Sequence, residues 1–354
     1  MIGGDAYMTG ILITAYSFVA AVIGAGFASG QEVLSFFSLY GKWGLLGIGV
    51  SSFVFGGFSY FVLSACVTEK TSDYNTLLGR FMNRGARRIS AAVTLVFLVC
   101  SFAVMTACFG ETAYLLFGLN KAASSAAFAA VCTVTAMTGS DRALKLNGVL
   151  GAVIAFGITA AALYMLRYRE HQTFMTQASA VVSGGGYAGY NLIGAGVILA
   201  GLSRNIKTKS DAAVSAVLAA GALSFMLLLI FALIGIYRKY IDLGELPMLT
   251  LALREGRGIT YFYSAMLMLA VVTTAVSDVV GAAELTAGRL PRYVSAAAVG
   301  IIGFAVSGAG FSAVINTAYR ACGFLGMGLI LYTIIKYKKY KKERKQEKNR
   351  ENKR

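Results

Sequence analysis

Histidine is almost missing. His171 is the only one in 354 residues, which leaves no basis for a His-ligated metal site or a Ser-His-Asp triad. Charge is scarce too: Asp, Glu, Lys and Arg make up 14% of the chain, where a water-facing surface usually needs about 25%. The five cysteines, Cys66, Cys100, Cys108, Cys132 and Cys322, are odd in number and lack CxxC spacing. All fall in apolar stretches, so they read as small buried hydrophobes and imply no disulfide frame. HExxH, paired intramembrane aspartates and a GxSxG within a span are also lacking. Enzyme chemistry is poorly supplied, and the chain reads as a non-enzyme without a cofactor.

What it has is apolar surface. Hydrophobic residues make up 57% before the 41 glycines are counted, against a soluble norm of roughly 45 to 50% with glycine included. Such a chain could not cover its own surface in water and belongs in a bilayer. Apolar runs long enough to cross a hydrocarbon core of about 30 Å recur along it. Ten are expected, at 9–40, 43–68, 89–118, 122–139, 147–166, 174–203, 212–237, 258–285, 293–310 and 313–335. The first has no basic n-region and runs past a cleavable length, so it is not read as a signal peptide.

The net charge of +16 is concentrated at one end, because eleven of the 32 Lys and Arg lie between Lys336 and Arg354. A basic tail of this kind suits an anionic cytoplasmic leaflet better than a nucleic-acid groove, or is simply a solvated, disordered end. Orientation follows from the loops. With the N-terminus inside, the inner loops and tail hold 23 Lys and Arg and the outer loops eight. That bias predicts ten spans with both ends cytoplasmic.

The first and sixth runs are interrupted, one by Gly24-Ala25-Gly26-Phe27-Ala28-Ser29-Gly30 and the other by Ser183-Gly184-Gly185-Gly186-Tyr187-Ala188-Gly189-Tyr190-Asn191. Each glycine costs a helix interior up to about 1 kcal/mol relative to alanine. The clusters therefore predict two unwound stretches, each dividing a helix, and unwound backbone in lipid is tolerated only where it lines protein or a polar cavity. Their places at the start of each five-helix half match an inverted-repeat transporter, with repeats over 9–166 and 174–335 inside one domain, 1–336, followed by the tail 337–354. At such breaks bare N–H groups attract anions and bare carbonyls attract cations. Gly24, Ala25, Gly26, Ser29, Tyr187, Tyr190 and Asn191 are the candidate solute-binding residues; the competing reading is that the glycines only let helices pack closely. Gly44, Gly47, Gly49, Gly56 and Gly57 of the second span are assigned that packing role.

Span eight carries Thr273, Thr274, Ser277 and Asp278 in an otherwise apolar helix. These are oxygen ligands for a hard cation, or hydroxyls bonded back to their own helix. Asp278, as an intramembrane charge, is a proton carrier or lies at a wet mouth. Glu32 and Arg320 are the other charges within spans, and are expected to pair across the outer vestibule as a gate or to reach water separately.

The segment IGAGFASGQEVLSFFSLYGKWG, Ile23 to Gly44, with GYAGYNL, ELPML and TTAVSD, resembles the YkvI family of bacterial membrane proteins over nearly the whole chain to about Lys336. That family is related, distantly, to the LeuT-fold transporters of the amino acid, polyamine and organocation superfamily. The resemblance implies an all-α, multi-pass protein of the bacterial inner membrane, with a 5+5 inverted repeat and helices 1 and 6 interrupted. It also implies a sodium-like site of Ala20, Ile23 and Ala270 carbonyls with the Thr273 and Thr274 hydroxyls. The activity implied is cation-coupled alternating access for a small solute such as an amino acid, with Na⁺ as coupling ion. Proton coupling and a non-transporting sensor are the alternatives.

Overall fold

Short polar caps and glycines cut the apolar runs into helices. Asp73 Oδ2 accepts from the Thr76 amide at 2.6 Å, Asn83 Oδ1 from Ala86 N at 2.8 Å and Asn120 Oδ1 from Ala123 N at 3.0 Å, each satisfying an orphan donor of a first turn. The caps work outside the apolar region too: those bonds to Thr76 hold the Asp73 carboxyl below its ordinary range. Gly118, at φ +67°, closes a helix in the left-handed conformation that only glycine adopts without strain.

The computed structural model describes residues 2–138, 141–166, 179–237, 244–286 and 289–351, and these are helical with no strand among them. In the first half come α1 (Ile2–Val22), α2 (Ala25–Ser29), α3 (Gln31–Phe36), a tight turn Ser38–Trp43, α4 (Gly44–Glu69), α5 (Tyr74–Gly79), α6 (Arg84–Phe117), α7 (Lys121–Met137) and α8 (Asp141–Met165). The second half has α9 (Ala180–Leu202), α10 (Lys209–Tyr237), α11 (Pro247–Glu255), α12 (Arg257–Leu285), α13 (Arg292–Ser307), α14 (Phe311–Val314), a π-helical turn Ile315–Tyr319 and α15 (Arg320–Glu351). The chain is an all-α integral membrane protein. His171, Arg167, Arg169, Glu170, Arg238, Lys239 and Asp242 lie outside the described residues.

In each half the second long helix is followed by one short helix, α5 or α11, before the third. Five crossings is an odd number, so the second half enters from the opposite face. The short helices consequently end on opposite faces, which makes the repeat inverted. Both chain ends share one face, called here the terminal face; α11 lies on the far face.

The terminal face departs from expectation at the tail, which is not disordered through residue 351: α15 continues as helix to Glu351. It is held there by contacts. Tyr337 packs edge-on against Phe61 and Phe81, both at 5.4 Å between ring centroids. Glu69, with its side chain 1% exposed, binds Arg80 at 2.8 Å and Arg344 at 3.1 Å. Arg344→Ala with Tyr337→Ala is expected to release this helix, read as faster trypsin cleavage within 338–345. Cleavage at the wild-type rate would show that these contacts do not hold it.

Candidate functional site

The first span breaks where its sequence predicts, and the break is short. In an unbroken helix the Gly24 amide would donate to Ala20 O; it donates instead to Val22 O at 3.0 Å. Helical bonding resumes with Ala28 N to Gly24 O at 2.9 Å, so Ile23 O also falls outside the ladder. A second discontinuity follows at Gly30, φ +80°, between α2 and α3. Span one is thus three helices, not two.

Span eight stands opposite this break. A Cβ added to Gly24 would meet Thr274 Oγ1 at 3.8 Å. The Thr273 hydroxyl donates to Leu269 O at 2.8 Å and Ala270 O at 3.1 Å, the self-bonding pattern of a helical threonine, which spends its proton but leaves lone pairs. Tyr263, seven residues before Ala270 on the same helix, donates through its hydroxyl to Ala28 O and ties α12 to α2. Sequence reasoning missed it, although i, i+7 and i+11 spacing places Tyr263, Ala270 and Thr274 on one face.

The sixth span is a correction. α9 is continuous from Ala180 to Leu202, so the Ser183–Asn191 glycines do not unwind it. They serve close packing. A Cβ on Gly184 would strike Gly47 O of α4, and one on Gly189 would strike Gly323 O of α15. Backbones this near exchange further contacts, such as Ser51 Oγ donating to Gly184 O at 2.7 Å. Ser183 Oγ donates to Phe36 O at 2.7 Å, which fixes α9 to the end of α3. Asn191 Nδ2 donates to Tyr187 O of its own helix at 2.9 Å, and Ser29 Oγ to Gly26 O at 2.9 Å, so both polar groups are used locally. Of the glycines in α4, Gly44, Gly47 and Gly56 have close neighbours, whereas Gly49 and Gly57 face open space and do not pack.

The expected Glu32–Arg320 pair does not form. Arg320 donates to Ser35 O at 2.8 Å and to the Tyr40 hydroxyl at 3.3 Å, with its guanidinium 5.5 Å from the Phe36 ring centre. The Glu32 carboxyl instead folds back over Gly26, into the notch that a Cβ there would fill. The reason is local: α3 is a separate short helix after Gly30, which turns residue 32 toward the break while residue 35 presents its carbonyl to Arg320. Glu32 is 4% exposed and its Oε2 has no hydrogen-bond partner. Tyr187 and Tyr190, both within electrostatic reach of that carboxyl, are buried with unpartnered hydroxyls. Tyr190 lies close to the Glu32 carboxyl. Asp278, 6% exposed, lies beside Ser101 of α6 and likewise has an unpartnered oxygen, Oδ2.

At the far face the break is sealed. Gln31 Nε2 donates to Ser312 Oγ at 2.9 Å, Phe311 N to Glu245 Oε2 at 3.0 Å, and Met248 of α11 lies over Gly30, 2.7 Å from where a Cβ would be. Toward the terminal face the packing loosens. Every residue of α6 from 101 to 108 is buried, and none from 84 to 100 is.

This architecture is shared with solved membrane transporters. A Na⁺-coupled sialic acid symporter, solved substrate-bound and outward-open, superimposes with a TM-score of 0.60 at 12% identity, covering 92% of this chain and 78% of its own. A manganese transporter of Eremococcus coleocola in complex with an aromatic bis-isothiourea compound gives 0.59 at 13% identity, covering 93% and 77%. A point mutant of the same manganese transporter gives 0.57 at 13%, covering 93% and 78%. The fold is the LeuT fold. No protein-family model and no curated protein sequence matches the chain.

Within that fold the structure brings Gly24 and Thr274 together, and separately Glu32, Tyr187 and Tyr190, while the Thr273 hydroxyl is bonded back to its own helix. The π-helical turn ending at Tyr319 was not foreseen. It places that phenol within reach of both Glu32 and Asp278, and π-turns often mark functional positions in helices.

Proposed function

We propose that the protein is a secondary transporter of the bacterial inner membrane, with cytoplasmic termini, which moves a small solute by cation-coupled alternating access. The YkvI resemblance and the shared fold are consistent with this reading. One observation carries it: the helical ladder of span one opens at Ala20–Gly24, directly across from Thr274. Carbonyls of Ala20, Ile23 and Ala270 with hydroxyls of Thr273 and Thr274 would supply an alkali cation with the several oxygens it requires. Sodium is the coupling ion in this reading, and an amino acid or similar small solute binds beside Gly24, Ala25 and Gly26, next to Tyr187 and Tyr190.

The cycle follows from what is sealed and what is loose. Span one is clamped at the far face through Gln31, Ala28 and Ser35, while the α6 half toward the terminal face is less buried than the half beyond it. Breaking those far-face contacts and closing the terminal half exposes the same break to the other side. The unpartnered carboxyl oxygens of Glu32 and Asp278 favour proton coupling as the second reading.

The test is uptake of a mixture of radiolabelled amino acids into proteoliposomes with external sodium or with potassium in its place. Uptake is expected to need sodium. Undiminished uptake in potassium would discard sodium coupling in favour of protons, and binding without uptake would point to a sensor.

A further inference from the structure

Negative charge at the break is supplied by the chain itself. Glu32 occupies the notch over Gly26, and a cluster of aromatic side chains that includes Tyr187, Tyr190 and Tyr319 lies near its carboxyl. Phe36 lies 5.7 Å from Tyr187 and 5.5 Å from Tyr190, Tyr190 lies 4.7 Å from Tyr319, and Phe97 lies 5.9 Å from Tyr190 and 5.6 Å from Tyr319, all between ring centroids. Tyr187, Tyr190 and Tyr319 are 0%, 1% and 2% exposed. Glu32 Oε2 and the hydroxyls of Tyr187 and Tyr190 are buried without a hydrogen-bond partner. Arg320 donates through its terminal nitrogens to Ser35 O and the Tyr40 hydroxyl and lies over Phe36, with its Nε unpartnered, and makes no ion pair with Glu32.

An unpaired buried carboxylate is costly, and aromatic faces carry the negative end of a quadrupole. A solute carboxylate entering here meets repulsion from Glu32, whereas an ammonium group meets a counter-ion, ring faces and phenol oxygens that accept its N–H groups. We infer that the Glu32 carboxyl, within the ring box of Phe36, Phe97, Tyr187, Tyr190 and Tyr319, binds a protonated amine, so that the solute is recognised by its ammonium group and needs no carboxylate. Proton uptake alone would neutralise Glu32 without requiring the rings; the ring box is what argues for an organic cation. The inference rests on the break being the solute site.

Matched triads test it on the purified full-length protein in sodium buffer: an amino acid, the amine left by its decarboxylation and the acid left by its deamination, across a panel of ten side chains. Thermal stabilisation reports binding independently of transport. Amines and amino acids are expected to raise Tm and the acids not to. Glu32→Gln and Tyr190→Leu are each expected to weaken amine binding by at least about tenfold, the scale of losing a desolvated cation contact. Stabilisation by the acids but not the amines would overturn the inference and leave the break as a solute site. Amine binding undiminished in Glu32→Gln would overturn it too. No shift from any compound would remove the inference together with the site on which it rests. The wild-type triads decide between these outcomes even where a variant fails to fold.

Discussion

Replacing Thr273 and Thr274 together by valine is expected to weaken apparent sodium affinity by about 100-fold, or about 2.7 kcal/mol. The substitution keeps the β-branched shape and removes two of the five proposed oxygens. A hard cation held by carbonyls and hydroxyls has no softer group nearby to fall back on. The helix itself should tolerate the change, because the Thr273 bonds to Leu269 O and Ala270 O run within α12 and compete with the helix ladder rather than bracing it against a neighbour. Thr159→Val is the control. Its hydroxyl bonds back to Ala155 O at 2.7 Å in the same way, but on α8. It should leave the sodium response unchanged. The measurement is the sodium concentration giving half-maximal stabilisation or uptake; an unaltered value in the double variant would remove the cation from this position.

The membrane class, the crossings and the first break were legible because each rests on local chemistry: run length, hydropathy and backbone freedom around Gly24. The sixth span shows where local reasoning stops. Gly24 and Gly184 look alike in sequence, yet the first loses its ladder bond and the second keeps it. What separates them is the neighbour. Gly184 lies against the Gly47 backbone, and this close approach outweighs the modest helical cost of the glycines. Arg320 and Glu32 were misread for a related reason. Opposite charges in spans invite pairing, but Gly30 swings Glu32 away and offers Arg320 a free carbonyl at Ser35 instead. The helical tail was hidden because the partners of Tyr337 and Arg344, namely Phe61, Phe81 and Glu69, are far away in the sequence. No signal in INTAYR announces the π-helical turn, which depends on packing against α6 and α3.

Gly184→Ala and Gly189→Ala are each expected to destabilise the protein by about 3 kcal/mol, at the upper end of the usual cost of overpacking. The added methyl in each case meets main-chain atoms, of Gly47 or of Gly323 and Met327, and backbone in a packed helix cannot rotate aside as a side chain can. Relief requires α9 to move away from α4 or α15, which would strip Ser51 Oγ from Gly184 O and Ser183 Oγ from Phe36 O. The two changes press on opposite neighbours, so the double variant should lose most of its folded population in detergent. Gly194→Ala, five residues further along the same helix, meets nothing within 4 Å. It should raise stability by about 0.5 to 1 kcal/mol through helix propensity alone. Thermal unfolding followed by size exclusion separates the three. If Gly184→Ala and Gly189→Ala instead kept the wild-type Tm while solute binding changed, the glycines would be flexing rather than packing. The sixth span would then unwind during the cycle after all.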